Sequence, residues 1–239
     1  IYFHQMTNPI KQVNTLTFDI FGTVLDLAGS LIPPLNQLLK KCAAPENITG
    51  DDVWAIWRQR QRIEQYQDNL LMLGHSGYLP VKRKALLYTL RTLKVDFTYE
   101  QIDEFMDAYN FLSPFKDAID GLNQLSEKFN LVILSNGEQH YLEYLAKNRI
   151  QMDFHSILSA QTVGQFKPHP SVYRYACKSL NLEPGNIMMV ASHSFDILGA
   201  RHSGFRAAYV NRYDLPYDES EYKPDITSNN FTDLCEQLL

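Results

Sequence analysis

The stretch Leu16-Thr17-Phe18-Asp19-Ile20-Phe21-Gly22-Thr23-Val24-Leu25-Asp26 most constrains what this chain can fold into. An apolar run stops at a carboxylate, and a glycine follows within three residues. That is the pattern of a buried strand carrying Asp19 to its C-terminal tip, where open α/β sheets bind their ligands. Gly22 lets the backbone turn tightly, and Thr23 brings a hydroxyl to the same spot. On this stretch alone Asp19 could also be a helix cap at a strand end, so the rest of the chain decides.

Downstream, the apolar periodicity divides the chain in two. From Leu27 to Asn110 it reads as helix throughout. A leucine-rich helix over Ser30 to Cys42 has prolines in its first turn, and a long polar helix runs from Asp51 to Leu73 and breaks at Gly74-His75-Ser76-Gly77. Two amphipathic helices follow over Val81 to Leu93 and Tyr99 to Tyr109. From Leu112 strand and helix alternate. Strands are predicted at Leu131 to Leu134, Ser156 to Leu158, Ile187 to Val190 and Ala207 to Val210. Helices are predicted over Asp117 to Phe129, Gln139 to Lys147, Ser171 to Leu180, Phe195 to His202 and Phe231 to Leu239. With the first strand this gives five short apolar strands linked by helices. The expected fold is α/β, a doubly wound Rossmann-like parallel sheet with an inserted all-helical cap. The expected division is a core of residues 1–26 and 112–239 and a cap of residues 27–111.

Composition narrows the function classes. The 239 residues are 45% apolar, enough for a packed core, and the net charge of −5 with no basic stripe argues against a nucleic-acid partner. No apolar run is long enough to cross a bilayer, so no membrane partner is expected. The start is polar and mixed, unlike a secretory leader, and Ile1 to Gln5 before Met6 reads as an expression remnant. Cys42, Cys177 and Cys235 are odd in number and far apart, which suggests free thiols in a reducing cytoplasm. None has a Cys or His at metal-ligand spacing, and neither His169 nor His202 gives a metal signal; no cofactor is expected.

Four loops are expected to meet at the C-terminal edge of the sheet. They carry Asp19 and Thr23, then Ser135 and Asn136, then Lys167, then Ser192, His193 and Asp196. A nucleophilic carboxylate in a partly buried site needs a nearby cation to stay ionised. Lys167 suits that role as a compact point charge, with Asp196 to hold it in place. Ser135 and Asn136 can donate hydrogen bonds to a bound anion. Taken singly, each has a plainer reading: a solvated loop lysine, a Ser-Asn-Gly turn, an Asp at a helix start. Their joint placement after strands, in this order, favours a site.

These residues resemble the haloacid dehalogenase superfamily and, within it, the L-2-haloacid dehalogenases of type II. The matching stretches are Phe18 to Asp26, Trp57-Arg58-Gln59, Leu134-Ser135-Asn136-Gly137, Lys167-Pro168 with Tyr173, and Asp196 followed by Gly199-Ala200-Arg201. The resemblance implies Asp19 as nucleophile and Arg58 as the group that stabilises a departing halide, with Asn136 and Phe195 in the same cradle. It implies that Thr23, Ser135 and Asn136 orient the substrate carboxylate and the nucleophile, and that Phe21, Gln59 and Phe195 shape the pocket. Tyr173 and Ser192 join the substrate-binding set. Arg60 and Arg62 read as a solvated basic face and Trp57 as a packing residue.

Most members of the superfamily are magnesium-dependent phosphatases with Asp-x-Asp, whose second Asp protonates a leaving alkoxide. Here that position is Phe21, and Val190 to Asp196 offers one carboxylate rather than an acidic pair. Halide is the anion of a strong acid and leaves without a general acid. The implied reaction is therefore metal-free hydrolysis of short (S)-2-haloalkanoic acids to (R)-2-hydroxy acids and halide through an aspartyl ester. The alternatives are a phosphatase-like hydrolase with an altered acid, or a binding protein that keeps the fold. The expected partners are the 2-haloacid and halide, and family members are often homodimers. One departure stands out: the best-known members have Ser-Ser-Asn where this chain has Ala191-Ser192-His193. His193 is either a base for the hydrolytic water or a packed histidine.

Overall fold

The computed structural model describes residues 9–239; the reading of Ile1 to Gln5 lies outside the described residues. β1 (Thr15–Phe18) is followed by a tight turn and by β2 (Leu25–Asp26). Four helices come next: α1 (Leu27–Lys41), α2 (Gly50–Leu70), α3 (Tyr78–Thr92) and α4 (Tyr99–Met106). The chain then alternates through β3 (Ser113–Pro114), α5 (Lys116–Ser126), β4 (Asn130–Ser135), α6 (Gln139–Leu145), β5 (Ser156–Ser159) and α7 (Pro170–Leu180). It ends with β6 (Ile187–Ala191), α8 (Ser194–His202), β7 (Arg206–Val210), β8 (Ile226–Ser228) and α9 (Phe231–Leu238).

Six strands form one parallel sheet in the order β5-β4-β1-β6-β7-β8. The sheet has a sixth strand, β8, that periodicity did not reveal. It is three residues long with one aliphatic side chain, Ile226, too short for a period to show, and pairs with β7 at the edge of the sheet. β2 and β3 form a separate antiparallel pair where the chain leaves for the helices and returns.

Alternate side chains of the central strands enter two apolar clusters, as expected for a sheet covered on both faces. Leu131 and Ile133 of β4 and Met188 and Val190 of β6 pack with α5, α6 and α9, and that cluster continues into α1, α3 and α4. Val132, Leu134, Met189 and Ala191 pack with α7 and α8 on the other face. A fully buried Phe or Leu of this kind contributes about 1.5–3 kcal/mol.

Helix boundaries follow local chemistry. Asp26 caps α1 by accepting from the Gly29 N–H at 2.9 Å, so the helix starts three residues before the expected Ser30. Pro33 and Pro34 therefore lie inside α1, not in its first turn. α2 opens with a capping box, in which Thr49 and Asp52 satisfy each other's backbone N–H. It ends at Leu70, and the connection runs through Gly77. Trp57 anchors α2: it is fully buried, and its indole N–H donates to the Lys82 carbonyl of α3 at 2.9 Å. None of the helices in the described residues is long and apolar enough to cross a membrane.

Candidate active site

β1 lies between β4 and β6, where the direction of winding reverses and the strand ends splay to leave a crevice. Asp19 is the first residue past β1, its N–H still donating to the Val190 carbonyl at 3.0 Å. Gly22 then turns at a φ of 86°. A Cβ there would meet the His193 ring and the Tyr213 hydroxyl at 2.9 Å, so glycine is needed both for the turn and for the close approach. The turn brings the Thr23 hydroxyl back to donate to Asp19 Oδ2 at 3.0 Å while accepting from the Ser192 N–H at 2.9 Å. The N–H groups of Ile20 and Phe21 make no hydrogen bond to another described residue.

The other loops converge on Asp19. Lys167 is 1% exposed, and its Nζ lies 2.6 Å from Asp196 Oδ2 and 3.3 Å from Asp19 Oδ1. The Tyr173 hydroxyl donates to Asp196 Oδ1 at 2.7 Å. Asp196 thus has both oxygens engaged and keeps the ammonium aimed at Asp19. Asn136 spends its carbonyl oxygen on the Lys167 N–H at 2.8 Å, which fixes the loop and leaves its NH₂ toward the pocket. The Ser135 and Ser192 hydroxyls are buried and have no partner among the described residues.

Burial alone would raise the Asp19 pKa, but Lys167 and the hydrogen bonds from His193 and Thr23 outweigh it and hold the carboxyl well below its usual range. Burial raises Asp196, the charge of Asp19 adds to it, and Lys167 offsets only part. His193 Nδ1 lies 3.5 Å from Asp19 Oδ2, and burial pushes the imidazole down to about 4, so it is neutral at pH 7. The result is an ionised carboxylate at the sheet rim, facing a pocket.

α2 closes that pocket. Arg58 sends one Nη to Gln61 Oε1 at 2.9 Å and the other to His193 Nε2 at 3.3 Å. Phe21 stacks on Tyr78 with ring centres 4.0 Å apart, and Phe195 lies beside His193. Among the described residues no three His, Cys, Asp or Glu side chains gather into a group that could hold a metal.

The structure brings together Asp19, Phe21, Thr23, Arg58, Ser135, Asn136, Lys167, Ser192, His193, Phe195 and Asp196. Two residues expected to bind substrate lie elsewhere. Gln59 is exposed, because on α2 the inward stripe is Arg58, Gln61, Arg62 and Gln65, and the next residue along a helix points about 100° away. Tyr173 is fully buried behind Asp196 and lines no part of the pocket. Arg62, expected in a solvated face, sits at the pocket rim with its guanidinium 5.1 Å from the centre of the Phe195 ring. Gln65, Tyr78 and Lys82 also line the pocket and were missed. For Arg62 and Gln65 the signal was available, since they follow Arg58 by four and seven residues on one helix face.

The chain is similar along most of its length to known dehalogenases. An (S)-2-haloacid dehalogenase from Xanthobacter autotrophicus is 32% identical over 201 residues, covering 84% of this chain and 76% of that one. (S)-2-haloacid dehalogenase 4A from Burkholderia cepacia is 29% identical over 217 residues, or 90% of each chain. The solved structure of L-2-haloacid dehalogenase from Xanthobacter autotrophicus with chloropropionic acid covalently bound superposes with a TM-score of 0.80 at 27% identity, covering 95% of this chain and 98% of that one. A model of the haloacid dehalogenase-like hydrolases matches residues 13–204, and the chain belongs to that family.

Proposed function

We propose that the protein is an (S)-2-haloacid dehalogenase that hydrolyses short 2-haloalkanoic acids to (R)-2-hydroxy acids and halide without a metal ion. The observation that carries this reading is an Asp19 carboxylate kept ionised at the sheet rim, with Phe21 where a phosphatase needs its acid and Arg58 across the pocket. Phosphoryl transfer would require neutralising about two phosphate charges and protonating an alkoxide, whereas a carbon–halogen bond requires neither.

In the first step an Asp19 oxygen attacks C2 from the side opposite the halogen, a C–O bond forms, and halide departs with the electron pair. Arg58 and the Asn136 NH₂ receive it. Inversion at C2 follows from back-side attack. The substrate carboxylate is held by the unpartnered Ser135 hydroxyl. In the second step water attacks the Asp19 carbonyl carbon. The Ile20 and Phe21 N–H groups receive the oxyanion, and collapse releases the hydroxy acid with the original Asp19 oxygen. His193 takes the water proton through Nε2 once Arg58 has turned to the halide. Residues 27–111 act as a cap over a core of residues 1–26 and 112–239. The three cysteines, all free, suit a reducing cytoplasm.

The test is halide release from both enantiomers of 2-chloropropionate, with and without a chelator. The reading expects turnover of the (S) acid to (R)-lactate, unchanged by chelator. Turnover of phosphate esters that the chelator abolishes would overturn it.

A further inference from the structure

The α3 side of the pocket holds donors that the reaction just described does not use. Lys82 is 3% exposed, and no carboxylate of the described residues lies within ion-pair distance of its Nζ. Its Nζ sits over the face of the Tyr78 ring, 4.1 Å from the centre, and feels the repulsion of Arg58 and Arg62. Glu138, which attracts Lys82 from farther off, turns one oxygen to the Leu79 N–H at 3.3 Å instead. Beside Lys82, the Gln65 NH₂ and the Tyr78 hydroxyl are buried, line the same pocket and have no hydrogen-bond partner among the described residues. A buried amine and two buried donors without a hydrogen-bonded acceptor are costly.

The charges point the same way. Arg58, Arg62 and Lys82 line the same pocket, and burial together with the two guanidiniums holds the Lys82 pKa well below the usual lysine range. A carboxylate placed beside these three groups would offset their mutual repulsion and favour the Lys82 ammonium. The reacting carboxylate already has Ser135, so the free donors on α2 and α3 await another anionic group.

We propose that the acid this pocket is built for carries a second carboxylate. Its substrate is then a short 2-halogenated dicarboxylic acid whose distal carboxylate is bound by Lys82, the Gln65 NH₂ and the Tyr78 hydroxyl, with Arg62 at the rim. This rests on the dehalogenase reading and names the substrate class of that site. The bond changes are those already given, and the product is a 2-hydroxydicarboxylic acid.

The experiment compares kcat/KM for halide release from (S)-2-chlorosuccinate and (S)-2-chloropropionate, using the full chain, Lys82→Met and Lys82→Arg. The wild type should favour the dicarboxylate by about tenfold or more, the size of one charge-assisted hydrogen bond. The ratio should fall by about tenfold in Lys82→Met and recover in Lys82→Arg. Preference of the wild type for chloropropionate, or an unchanged ratio in a folded Lys82→Met, overturns the proposal and leaves the dehalogenase reading standing. Halide from neither acid overturns both. The wild-type ratio decides the matter even if Lys82→Met fails to fold.

Discussion

His193 Nε2 lies 3.3 Å from an Nη of Arg58. A guanidinium only donates, so Nε2 accepts and Nδ1 carries the hydrogen, directed at Asp19 Oδ2. In the resting site the lone pair a base would use is therefore occupied by Arg58. It becomes free when the guanidinium turns to the halide, which ties water activation to completion of the first step. His193→Asn keeps a donor toward Asp19 but loses the base. It should release halide in a first turnover at close to the wild-type rate and then hydrolyse the ester about 10²-fold more slowly. Rapid-quench halide measurements against steady-state turnover check this. A first turnover slowed as much as the steady state would assign His193 to alkylation instead.

Burial of the same histidine links stability to pH. Its folded pKa is depressed to about 4, against an ordinary 6.5, so the unfolded chain binds a proton in this window that the folded chain does not. Its contribution is fully present above pH 6.5 and is lost as pH falls toward 4, with a total on the order of 3 kcal/mol. Urea unfolding at pH 7 and pH 4.5 should show wild type losing more stability than His193→Asn. Equal losses would mean that the ring is solvated or already charged.

Asp196 acts on the nucleophile through Lys167. Asp196→Asn removes the 2.6 Å ion pair while keeping an acceptor for Tyr173, so the fold should survive and the ammonium should lose its aim at Asp19. We expect kcat to fall about 10²-fold with a smaller change in KM. The acid limb of kcat/KM should also move up, because Asp19 depends on the ammonium to stay ionised. A fall in kcat with an unmoved acid limb would make Asp196 a structural residue only.

Much of this site was legible in the sequence because each loop follows a short apolar strand, and strand ends in a parallel sheet share an edge. Asp19, Ser135 and His193 could be placed together on that ground alone. Gln59 was misplaced because adjacency to Arg58 in sequence is not adjacency on a helix face. Tyr173 lies outside the pocket because its hydroxyl is spent on Asp196, and sequence alone does not distinguish a hydroxyl buried on a carboxylate from one facing a ligand. Lys82 and Tyr78 stayed hidden because which face of α3 meets α2 depends on packing around Trp57, not on local pattern. β8 was missed because one aliphatic residue carries no period.

The central claim is that Asp19 itself becomes the ester. Enzyme in excess over (S)-2-chloropropionate, reacted once in ¹⁸O-labelled water and then digested, should show the peptide containing Asp19 heavier by one ¹⁸O substitution and the lactate unlabelled. Label in the lactate, with that peptide unchanged, would mean that water attacks C2 directly and would contradict the account.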